Sequence, residues 1–130
     1  MEEKITGILV DTITNRITVE TIDNQYERYL HILRCTDIDI ADFWLDGIDF
    51  AAIYGKEEMS RTEHGPTVID CNNHGVIFGS IFICRHKLDG ALVSIDKDDC
   101  ECIYNAVAGQ SINDNEHQPI IKNVVMDSEI

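Results

Sequence analysis

The residues with the most chemical potential are five cysteines, five histidines and a large surplus of carboxylates. Cys71-Asn72-Asn73-His74 and Cys84-Arg85-His86 each set a thiol near an imidazole, and the two could in principle converge on zinc. Structural zinc sites use tighter Cys-x-x-Cys or His-x-x-x-His knuckles, and neither is present, so no metal is expected. His31 and Cys35, one helical turn apart, offer two ligands where a site needs three or four. A nucleophilic cysteine needs a base, an orienting group and an oxyanion hole, and no spacing here demands them. There is no Gly-x-x-x-x-Gly-Lys phosphate loop and no Gly-x-Gly-x-x-Gly fingerprint. No catalytic residue and no cofactor are assigned, and the residues favour a binding protein over an enzyme.

Binding chemistry is constrained by charge. Twenty-four acidic against ten basic residues leave a formal net charge of −14. Direct nucleic-acid binding is excluded on that ground, because phosphate contacts need clustered Lys and Arg. Capture of a small anion would have to be local, in a pocket that concentrates a few cations. The expected donors are Arg61 and His64 on a long polar loop, with Arg85 and His86 at the end of the most apolar strand. Gly79 and Ser80 would let a ligand approach the backbone, whose N–H groups add donors without adding charge. Two alternatives stand beside this one: an acidic mimic of DNA, and a small enzyme using Cys102, Cys71 or His74.

These residues must be positioned by strands. Residues 75–86 form an apolar run broken at Gly79-Ser80, and a strand apolar at both phases belongs mid-sheet. A glycine inside such a strand marks a bulge or a close approach. Ile5–Val10 and Ile17–Ile22 alternate as a hairpin around Thr14-Asn15-Arg16. Asn24 and Glu27 read as a capping box for a helix whose buried stripe is Tyr26, Tyr29, Leu30 and Leu33. Thr36–Leu45 and Ile48–Tyr54 flank an Asp46-Gly47 turn, with a bulge expected at Ala41-Asp42. Thr67–Cys71 and Ala91–Ile95 are further strands. Asp96 caps a second helix with stripe Cys100, Ile103, Tyr104 and Val107, stopped by Gly109; Cys102 falls off the stripe and should be accessible.

The fold expected is α+β: a mostly antiparallel sheet of about six or seven strands with two helices packed on one face. Residues 1–109 make one domain. Residues 110–130 are a C-terminal extension, docked on that domain or on a neighbouring subunit to give a homo-oligomer. No apolar run approaches the ~20 residues of a membrane span. The acidic Met-Glu-Glu-Lys start lacks the regions of a signal peptide, and five cysteines without scaffold spacing read as reduced thiols, so a cytoplasmic setting is expected.

Several motifs are similar to those of a small domain family of unknown function. They are Ile5-Thr6-Gly7-Ile8-Leu9-Val10-Asp11, Cys35-Thr36-Asp37-Ile38-Asp39-Ile40 and Pro66-Thr67-Val68-Ile69-Asp70, then Gly79-Ser80-Ile81-Phe82-Ile83-Cys84 and Ser94-Ile95-Asp96. The family is met on phages, prophages and conjugative elements of gram-positive gut bacteria, and the likeness spans residues 5 to 108. The resemblance carries no catalytic residues across. It implies a small mobile-element protein that counteracts host defence, by sequestering a nucleotide signal or by blocking a host defence protein.

Overall fold

A computed structural model describes residues 3–60, 65–108 and 118–126 of the chain. Asn15 takes φ 56° and turns β1 (Lys4–Asp11) into β2 (Arg16–Asp23). Asp46 and Gly47, both at positive φ, turn β3 (Ile38–Leu45) into β4 (Ile48–Gly55), as a two-residue hairpin requires. The β3–β4 register runs unbroken from Ile38 opposite Gly55 to Leu45 opposite Ile48, so the bulge expected at Ala41-Asp42 is absent. Asp39 does share a face with Phe43, but it sits near the solvated end of the strand and needs no rescue.

The short strands β5 (Val68–Asp70) and β6 (Gly75–Ile77) precede β7 (Ile81–His86). β8 (Leu92–Val93), β9 (Val107–Ala108) and β10 (Ile120–Met126) complete the set. All ten belong to one sheet, with the main path β2-β1-β7-β4-β3-β10-β5-β6, β8 beside β7 and β9 beside β10. The β10–β5 junction is parallel, which makes the sheet mixed.

The expected six or seven strands under a one-sided helical layer is therefore wrong. Among the described residues ten strands form the sheet, and two short α-helices, α1 (Tyr26–Leu33) and α2 (Lys97–Asn105), lie on opposite faces. The reason is in the central strands. On β7, Ile81 and Ile83 join the cluster that includes Ile103 of α2, while Phe82 and Cys84 join the one that includes Tyr29 and Leu33 of α1. On β4, Phe50 and Ala52 face α2, and Ala51 and Ile53 face α1. Strands apolar at both phases need cover on both sides, so one helix per face is what they require.

The sheet also curls. β6 and β7 are five strand steps apart along the path yet are joined by only Phe78, Gly79 and Ser80. Five steps in a flat sheet span about 24 Å, whereas four Cα–Cα links reach about 15 Å. Bending β5, β6 and β10 back over the α2 face closes the gap. Val68, Ile77, Ile121 and Val124 then share one core with Ile8, Phe43 and Ile83.

The helix starts differ from expectation at one end and agree at the other. α1 begins after Gln25 with no side-chain cap, and the Asn24 carboxamide oxygen accepts from the Tyr29 hydroxyl instead. α2 has a full capping box, Asp96 and Asp99 each accepting the other's backbone N–H at 2.8 and 3.1 Å. Val107 leaves the helix for β9, and Gly109 lies outside the described residues.

Candidate functional site

β7 carries four of the six residues expected to bind a ligand on or just before it, and the fold sends them to different places. Before its start, Gly79 takes φ +86° and the side chain of Glu58 fills the space where a Cβ would go, 2.5 Å away at the nearest. Both facts require glycine here. Ser80 is nearly buried; its hydroxyl accepts from the Thr12 N–H at 3.0 Å and lies 3.2 Å from the Thr12 hydroxyl. The Gly79 carbonyl accepts from the Thr67 hydroxyl at 2.6 Å. This step therefore ties β7 to β1 and to the β5 end of the curl.

A cleft of about 460 Å³ opens there, lined by Thr12, Asn15, Arg34, Glu58, Gly79, Ser80 and Gln118 among others. It adjoins a groove of about 770 Å³ that shares Arg34 and Glu58 and adds Arg28, His31, Asp11 and Glu57. Arg34 sits in the left-handed conformation that ends α1, φ 53°, which turns the chain off the helix at the junction of the two hollows. Its Nη1 donates to Asp11 Oδ1 at 3.2 Å and to Oδ2 at 3.4 Å. Glu57 accepts from the Thr36 N–H and hydroxyl, so its charge is directed into the turn after α1.

At the other end of β7, Arg85 and His86 diverge. Arg85 faces α2: its Nη1 donates to the buried Asp99 at 3.2 Å, and its guanidinium lies 5.8 Å over the Phe50 ring. That arrangement clamps α2 to the sheet. His86 emerges on the α1 face, with Nε2 3.1 Å from Asp49 Oδ2 and 3.4 Å from Asp42 Oδ1, while Nδ1 lies 3.2 Å from the Lys87 carbonyl. Burial on its own would lower the imidazole pKa. The Lys87 carbonyl, Asp42 and Asp49 outweigh it, and the value is raised.

Gly79 and Ser80 thus share a cleft with Arg34, and Arg85 and His86 do not join them. Arg61 and His64 lie outside the described residues. Among the described residues, Cys71, His74, Cys84 and His86 do not converge; the group of donors that does come within 4.8 Å is Asp42, Asp49 and His86. Cys102 is half-buried, its thiol 3.7 Å from the Leu45 carbonyl, and the accessible thiol is Cys71.

Two groupings escaped the sequence reading. Arg28 and His31, three residues apart on α1, share one side of the helix, and Arg34 follows at its left-handed end. Asp42 and Asp49 are diagonal neighbours in a hairpin centred on Asp46-Gly47, but His86 reaches them only because β7 pairs with β4, a non-local fact. Compared with protein-family models, curated proteins and solved structures, the chain matches none.

Proposed function

We propose that this chain is a non-enzymatic binding protein of a phage or mobile element, and that it counteracts host defence by sequestering a nucleotide signal in the hollows beside α1. One observation carries the reading. In a chain with ten Lys and Arg, two adjoining hollows share Arg34; the larger adds Arg28 and His31, and the smaller adds the neutral polar groups Ser80, Thr12 and Gln118. Such a mixture suits a polar anion with hydroxyls to recognise, and the volumes lie in the range of small-molecule sites. Arg34 already pairs with Asp11, so a phosphate would compete with that carboxylate for the guanidinium. The mobile-element setting rests on the family resemblance alone.

Calorimetric titration of a panel of cyclic and linear nucleotides tests it, using wild type, Arg28→Ala and Arg34→Ala with folding checked by circular dichroism. At least one nucleotide should bind wild type, and Arg34→Ala should weaken it at least tenfold. Binding unaffected by both substitutions would keep sequestration but move the site. No heat with any nucleotide would retire it and leave blockade of a host protein as the working reading.

A further inference from the structure

We propose that Asp42, Asp49 and His86 form a binding site for one divalent transition-metal ion, a site separate from the cleft beside α1 and independent of any ligand there. The donor geometry makes the case. Ligand atoms about 2.1 Å from a common ion lie about 3.0 Å apart in octahedral and about 3.4 Å apart in tetrahedral coordination. The His86 Nε2 to Asp49 Oδ2 and Asp42 Oδ1 separations are 3.1 and 3.4 Å, in the range of those spacings, and all three donor atoms lie within 4.8 Å of one another.

The tautomer is also the right one. His86 Nδ1 lies 3.2 Å from the Lys87 carbonyl, and with its proton donated there the neutral imidazole offers Nε2 to a cation on the carboxylate side. A backbone carbonyl in that role is the usual outer partner of a metal-bound imidazole. Without a cation, a proton on Nε2 faces the two carboxylates, and a metal ion would take that proton's place. Asp49 Oδ1 is buried without a hydrogen bond, although the side chain itself keeps some solvent exposure. A metal would bind Nε2 directly and leave room for water ligands on the exposed side.

The scaffold is rigid. Asp42 and Asp49 stand on the β3–β4 hairpin, and extending the β4–β7 register by two residues sets His86 across from Asp49. One nitrogen and two carboxylate oxygens make a borderline-hard set, suited to Mn²⁺ and Zn²⁺ rather than to a thiolate-seeking ion.

Manganese is the better probe, because it ignores the five cysteines. Titration of Mn²⁺ at about 0.15 M salt, which suppresses diffuse attraction to the acidic surface, should show one saturable site in the electron paramagnetic resonance of free ion. Asp49→Asn and His86→Gln should each weaken it at least tenfold, and Zn²⁺ should displace Mn²⁺. Wild-type amide spectra give a readout that needs no variant: trace Mn²⁺ should broaden the amides of residues 42, 49 and 86 first. Many weak sites, unchanged affinity in both variants, or broadening centred elsewhere would overturn the assignment.

Discussion

Cys71 stands in the turn after β5 and is the exposed thiol among the five. Burial pushes Cys35, Cys100 and Cys102 above the ordinary thiol range, with nearby carboxylates adding to it, and Cys84 is fully buried. Access favours Cys71, while burial holds back the thiolate at Cys35, Cys100 and Cys102. Time-resolved labelling followed by peptide mapping should find it modified first, with five adducts in total after denaturation without reductant. A missing pair would mean a disulfide, and early labelling of Cys102 would mean that α2 sits less firmly on the sheet. The helical period sets Cys102 off the buried stripe and Tyr104 on it, whereas Cys102 packs against the core and Tyr104 is exposed. It does not say that the Asp46-Gly47 turn comes up beside that flank and covers the thiol. Arg85 teaches the same lesson: a cation at a strand end reads as a ligand donor until α2 brings Asp99 against it.

Phe82 anchors the element on which both faces depend. It is fully buried, its ring 6.0 Å from that of Tyr29, and it lies over Gly7 so closely that a Cβ there would meet the ring at 2.5 Å. Phe82→Ala should cost about 3–5 kcal/mol, measured by urea unfolding. A loss below about 1 kcal/mol would mean that the α1 face is not a packed core. Elements were legible where the signal was local. Positive-φ turns at Asn15 and Asp46-Gly47 and the Asp96 cap can be read along the chain, but the apolar run expected as one strand over 75–86 is two, β6 and β7, parted at Phe78-Gly79-Ser80. The cap of α1 was misread because Asn24 serves a tertiary bond to Tyr29, and the two-residue strands β8 and β9 have no period to read.

At the scale of the whole molecule, charge and curl dominate. A net charge of −14 on 130 residues repels itself, and exposed pairs such as Lys4–Asp23 and Lys56–Asp37 return little. Screening should therefore stabilise the protein. Relief of about 1 kcal/mol between low and about 0.5 M salt would raise Tm by about 3–5 °C in a calorimetric scan. A fall in Tm would show that ion pairs outweigh repulsion. The strand order, and with it the opposition of the two helices, depends on pairings between distant segments, which no local pattern encodes. The placement of β10 is the extreme case. It inserts between β3 and β5, pairing Val125 with Trp44 and Met126 with Phe43. On a ribosome adding about 5–20 residues per second, the 81 positions from Leu45 to Met126 take roughly 4–16 s. For that interval the outer edge of β3 is open, with Ile40 half-exposed along it and Asp39 and Asp42 on either side. Those two carboxylates would then act as gatekeepers, keeping nascent chains from pairing edge to edge before the last strand arrives.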